Sequence, residues 1–219
     1  MSIAENLSAI KAKLPETVTL VAVSKTKPIA AIEEAYAAGQ RIFGENKVQE
    51  MTQKWQVLPN DIEWHMIGHV QRNKVKYMAE FVSLIHGVDS LRLLVEINKQ
   101  AAKHQRIIDC LLQVHIAEEE TKFGFDRTEI NSLINSPEFT QLQHIRIVGL
   151  MGMATFTENT EQVRKEFSQL SDIYGEIQKV LPEVSVLSMG MSGDYPLAIA
   201  EGSTMVRIGS SIFGARNTH

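Results

Sequence analysis

Apolar residues along the chain fall into short runs, and amphipathic stretches separate most of them. Runs at 18–24, 40–43, 62–67, 81–86, 107–115, 145–151, 184–188 and 204–208 have the length and pattern of strands. Helical patterns lie between most successive pairs. In one of them Val163, Phe167, Leu170, Tyr174, Ile177 and Leu181 recur at spacings of four and three, which draws one apolar stripe. Pro28 suits the first turn of a helix that Gly39 would end. Ahead of the first run, Ile3, Leu7, Ile10 and Leu14 share a helix face, and this extra helix is expected to cover the barrel floor. Eight strands with intervening helices predict an α/β fold, a single (β/α)8 TIM-type barrel with an extra N-terminal helix, formed as one domain over 1–219.

A doubly wound open sheet would use the same alternation. No Gly-x-Gly-x-x-Gly follows the first strand, however, and the polar candidates fall at strand C-termini, which meet at one mouth only in a barrel.

Composition narrows the partners. The 219 residues are 44% hydrophobic, ample for a continuous core, and carry a net charge of −4. The densest basic stretch, Arg72 to Lys76, holds only Arg72, Lys74 and Lys76, so nucleic acid is not expected as a partner. Cys110 is the single cysteine and lies in an apolar run, so it is read as a small core residue rather than half of an internal disulfide. No cationic segment followed by an apolar block opens the chain, and no run approaches the ~20 apolar residues of a membrane span. The expectation is a cytoplasmic monomer.

Candidate chemistry gathers at the strand ends. Lys25 follows Leu20-Val-Ala-Val-Ser24, and period two places it on the strand face of Val21 and Val23. Arg207 ends the last strand in the same manner, with Gly209, Ser210 and Ser211 behind it offering small side chains and backbone N–H groups suited to a phosphate. After strand seven, Ser192 and Gly193 open a short helix, a second wall for an anion, with Asp194 as the cap of that helix. A lysine, an arginine and a phosphate cup match the needs of pyridoxal phosphate. Each residue also has a plainer reading: Lys25 as a rim lysine that snorkels, Arg207 as a structural ion-pair partner, Asn46 in Phe43-Gly-Glu-Asn46 as a helix cap rather than a ring contact. Lys27, beside Pro28, is expected to face solvent. His65 and His69 stand four apart but in strand and turn, so separate roles are expected and no metal site. Lys122, after strand five, would sit at the mouth.

The segments Val23-Ser-Lys-Thr-Lys-Pro28, Phe43-Gly-Glu-Asn46, Trp64-His-Met-Ile-Gly-His69-Val-Gln-Arg-Asn-Lys74, Lys122-Phe-Gly124, Gly149-Leu-Met-Gly-Met153, Leu187-Ser-Met-Gly-Met-Ser-Gly-Asp194 and Val206-Arg-Ile-Gly-Ser-Ser-Ile-Phe-Gly214 occur in order over nearly the whole chain. In this the chain resembles the pyridoxal phosphate homeostasis proteins. The resemblance implies a barrel similar to the N-terminal domain of alanine racemase, with pyridoxal 5′-phosphate as an imine on Lys25. It also implies Arg207 facing the pyridine nitrogen, Ser192, Gly193, Gly209 and Ser210 holding the phosphate, and Asn46 beside the ring. Two positions depart from the family's habit: Lys47 stands where an aromatic is common, and Ser210 where threonine is common.

Racemases of the similar fold add a C-terminal β domain that contributes a second proton-transfer residue, and the sequence runs only five residues past Gly214. A cofactor opposite a donor-only guanidinium would also stabilise a carbanion weakly. The expected function is therefore to bind, buffer or deliver pyridoxal phosphate to dependent apoenzymes, supporting vitamin B6 and amino-acid/keto-acid balance, without catalytic residues. A racemase or lyase acting through the Lys25 imine is the alternative. A third reading is a sugar-phosphate enzyme that uses Lys25 without a cofactor.

Overall fold

The computed structural model describes residues 1–119 and 123–215. Eight parallel strands close into a barrel in chain order, β8 returning to β1. They are β1 (Thr19–Val23), β2 (Ile42–Glu45), β3 (Glu63–Met66), β4 (Leu84–Val88), β5 (Ile108–Gln113), β6 (Ile145–Met151), β7 (Val186–Met191) and β8 (Met205–Ile208). The helices are α1 (Ile3–Lys13), α2 (Ile29–Ala37), α3 (Val48–Val57), α4 (Val75–Met78), α5 (Leu91–Lys103), α6 (Arg127–Ile134), α7 (Pro137–Thr140), α8 (Thr160–Val180), α9 (Tyr195–Ala200) and α10 (Ser210–Phe213). None of the described helices is long and apolar enough to cross a membrane.

The sheet divides the apolar residues into two cores. Outward-facing strand residues such as Phe43, Trp64 and Ile85 pack against the helices, joined by the Phe167 and Leu170 stripe of α8. Inside the barrel, Val21, Leu84, Leu111, Met151 and Met205 form a smaller cluster. Alternation along each strand assigns residues to one core or the other, as the period of a strand requires.

The N-terminal helix departs from expectation. A capping box between Ser2 and Glu5 starts α1, and its Leu7 and Ile10 are buried, but it does not cover the floor. It packs in the outer ring between α2 and α10. Its Asn6 side chain donates to the Ile212 carbonyl of α10 at 3.0 Å. The reason is length: α10 is a single turn, too short to cover the β8–β1 face, and α1 takes that place. The floor is instead an open cavity of about 510 Å³, lined by residues at the strand beginnings that include Thr19, Glu63, His65, Asp109 and Arg146.

Strands two, four and seven run two or three residues beyond their expected ends. Those extensions carry Glu45, Gly87 and Gly190, which read as loop chemistry but are strand residues. At the start of α2, Pro28 occupies the capping position just before the first turn. Gly39 ends α2 at φ +95°, where its N–H donates to the Tyr36 carbonyl and that of Gln40 to the Ala35 carbonyl.

The same substitution should act oppositely at two glycines. Nothing lies within 4 Å of a Cβ built on either Gly39 or Gly175, the latter inside α8 with ordinary helical φ. Gly39→Ala must hold a left-handed conformation and should cost about 1 kcal/mol, whereas Gly175→Ala should gain about as much. Urea unfolding of the two variants would read the opposed signs.

Candidate functional site

The loops at the strand C-termini enclose a cavity of about 700 Å³. Lys25, Asn46, Ser192, Gly193, Arg207, Gly209 and Ser210 all line it. They arrive from four neighbouring strands, β7, β8, β1 and β2. The β8–β1 ladder, which pairs Val21 with Arg207, brings the two ends of the chain side by side.

Behind Lys25 stands a buried charge cluster. The Ser24 hydroxyl donates to Glu45 Oε1 at 2.6 Å. The Lys54 ammonium, from α3, donates to the Ser24 carbonyl at 2.8 Å, to Glu45 Oε1 at 2.6 Å and to Glu50 Oε1 at 2.8 Å. Glu50 Oε1 also accepts the Thr26 N–H at 2.6 Å. That bond holds Thr26 at φ +63°, a left-handed conformation that costs a β-branched residue on the order of 1–3 kcal/mol. Lys25 is thus set between two residues whose backbones α3 grips. Burial raises the Glu45 carboxyl above its ordinary range, and the Lys54 and Ser24 hydrogen bonds oppose that shift.

On the other wall, the Gly209 N–H donates to Ser192 Oγ at 3.3 Å and joins the loops after β7 and β8. Asp194 directly precedes α9 but makes no side-chain cap bond to it. Its Oδ1 instead accepts the Met191 N–H at 2.7 Å, which closes the loop around Ser192 and Gly193. Asn46 is placed by a close approach, since a Cβ on Gly68 would sit 2.4 Å from the Asn46 carbonyl oxygen. Lys47 is exposed just ahead of α3.

Arg207 points into the barrel and is buried. Burial pulls its guanidinium down to about 10, with the Asp194 carboxylate opposing, so it stays charged at neutral pH. Lys27 lines the cavity too and does not simply face solvent: its ammonium donates to the carbonyls of Phe213, Gly214 and Ala215 at 3.1, 3.1 and 3.4 Å. Lys122 lies outside the described residues. The paired histidines separate, with His65 buried inside the barrel and His69 on the rim, stacked on Phe123 at 4.4 Å.

Sequence reasoning missed Lys54, Glu45, His86 and Ser188. Two signals were present: Glu50 and Lys54 stand four apart on a helix, and His86 alternates with Leu84 in a strand.

A barrel mouth that joins a lysine and an arginine to small-residue loops after the last two strands defines a class, and the comparisons place the chain within it. The family described as "Alanine racemase, N-terminal domain" matches residues 1–217. The chain is 39% identical to the pyridoxal phosphate homeostasis protein of Haemophilus influenzae, spanning 99% of this chain and 97% of that one. It belongs to the pyridoxal phosphate homeostasis protein family. Structures of PipY from Synechococcus elongatus, without PLP and with PLP bound, share 40% identity with it over 97% of this chain and 100% of theirs, at TM-scores of 0.91 and 0.88.

Lys54→Met should destabilise the protein by about 3–5 kcal/mol, because it strands a buried carboxylate without its cation. Urea unfolding at neutral pH would measure this. Acid should also weaken the fold. Burial pushes His65 down to about 3 and His86 well below its ordinary value, so the unfolded chain takes up these protons first, near pH 6.5. Below that pH each ring removes stability at about 1.4 kcal/mol per pH unit, for His65 until about pH 3. Glu45, shifted upward, acts in the opposite sense. Comparing wild type with His86→Gln at pH 7 and pH 5 isolates one ring, and the variant should lose less stability on acidification.

Proposed function

We propose that the chain binds pyridoxal 5′-phosphate in the mouth cavity and buffers it or passes it to dependent apoenzymes, as a cytoplasmic monomer without strong catalytic activity of its own. The observation that carries this reading is the convergence of seven residues from the two chain ends on one cavity.

The donor set fits that ligand. Lys25 supplies an amine for the cofactor aldehyde, held between the pinned Ser24 and Thr26 backbones. The loops joined by Ser192 and Gly209 bring small side chains and backbone N–H groups together for a phosphate. Arg207 offers donors and no acceptor, so it pairs with an unprotonated ring nitrogen. The Gly68 approach fixes the Asn46 backbone at the cavity wall, from which its amide would meet the ring. Bound pyridoxal phosphate supplies an aldehyde that condenses with amines and a ring that withdraws electrons. With Arg207 opposite its nitrogen that withdrawal is weak, which favours carriage over turnover. The relatives' name and the PLP-bound PipY structure support the same reading.

The purified protein should show a visible imine band. Borohydride reduction followed by peptide mapping should place a pyridoxyl adduct on Lys25, and Lys25→Ala should lose both. A colourless protein that stays unlabelled after addition of pyridoxal phosphate would reject the proposal. Steady racemisation or cleavage of an amino acid, abolished in Lys25→Ala, would replace carriage with catalysis.

A further inference from the structure

The barrel interior holds a line of polar side chains that the mouth cavity does not account for. Arg207 Nη1 donates to Ser188 Oγ, and Arg207 Nη2 to the Gly152 carbonyl at 3.2 Å. Ser188 Oγ lies 3.0 Å from His86 Nδ1, and His86 Nε2 lies 2.9 Å from His65 Nδ1. All four side chains are buried. They belong to β8, β7, β4 and β3, so the line crosses the hollow of the barrel instead of following its wall. His65 ends it at the floor cavity.

Counting protons gives this line a direction. A guanidinium has no acceptor, so Ser188 Oγ must accept from Arg207. Among the described residues, the other partner of that hydroxyl is His86 Nδ1, which therefore receives its one proton. His86 is then the Nε2–H tautomer, donating to His65 Nδ1, and His65 is an Nε2–H tautomer in turn. The reverse order would aim two donors at Ser188 Oγ and leave a buried hydroxyl proton without an acceptor, which is costly. Burial keeps both rings neutral at pH 7, and the Arg207 charge adds to that effect at His86.

We propose that Ser188, His86 and His65 are positioning residues for Arg207, a hydrogen-bond chain with a single permitted direction that fixes the rotation of the guanidinium below the cavity. Two of its N–H groups are committed downward, to Ser188 and Gly152, and the chain stops it from swinging towards the floor. The consequence for the cofactor rests on the preceding proposal that Arg207 meets the pyridine nitrogen. The tautomers do not.

The test therefore begins with the protein free of cofactor. Long-range 15N–1H spectra of the imidazoles should show neutral Nε2–H tautomers for both His65 and His86 at pH 7. An Nδ1–H tautomer on His86 would overturn the proposal. Ser188→Ala should let His86 populate both tautomers, weaken pyridoxal phosphate binding about fivefold and move the visible band of the bound cofactor. His86→Leu should weaken binding and shift the band in the same way. His86→Gln can accept from Ser188 and donate to His65, so it should keep the wild-type band and hold affinity within about twofold. Unchanged band and affinity in Ser188→Ala would overturn the proposal, as would a His86→Gln variant no better than His86→Leu. If His86→Leu does not fold, Ser188→Ala against His86→Gln decides. A protein that shows the expected tautomers but binds no pyridoxal phosphate would refute the function and leave the positioning chain standing.

Discussion

Barrel closure along the β8–β1 ladder is the constraint on which the rest depends. Val21 and Arg207 are register partners across that seam, although they lie near opposite ends of the sequence. Before the seam forms, the first strand and the last have no shared surroundings, and the mouth has no walls. Closing the ladder removes the sheet edges, encloses the inner apolar cluster and assembles the cavity in one step. Site and fold therefore cannot be separated energetically: whatever loosens the seam opens the cavity.

Two buried cations flank the seam, and the protein treats them differently. Lys54 is surrounded by carboxylates and a carbonyl, so its charge is balanced within hydrogen-bond distance. Arg207 donates instead to a hydroxyl and a carbonyl, both neutral, and the Asp194 carboxylate supports its charge. The first arrangement is a clamp that holds backbone. The second places a positive charge in the lining of an open cavity, where an anionic ligand would add to its support.

Much of the fold was legible because barrel strands obey a period of two and their crossover helices a period of 3.6. Leu84 and His86, or Val21 and Lys25, fall on the interior face by counting alone. The strand ends were misread where Glu45, Gly87 and Gly190 sit, since a charged or glycine residue in an apolar run resembles the start of a loop. Only the partners that satisfy such residues reveal them as buried, and those partners come from elsewhere: Lys54 from a helix, Ser188 from across the barrel. The seven cavity residues were accessible because each closes a recognisable local pattern. The clamp and the interior line were not, because they are defined by contacts between elements. The placement of α1 escaped for a similar reason, as nothing local says that α10 will be one turn long.

That substitution of α1 for a longer final helix ties distant parts of the chain into one opening unit. The turn that follows Gly209 is held from one side by Asn6 of α1 and from the other by the Lys27 ammonium on the carbonyls of Phe213, Gly214 and Ala215. Fraying of the first helix therefore unfastens the last loop. Local unfolding at the N-terminus and loosening of the cavity wall at the mouth become the same event, seen from two ends of the molecule.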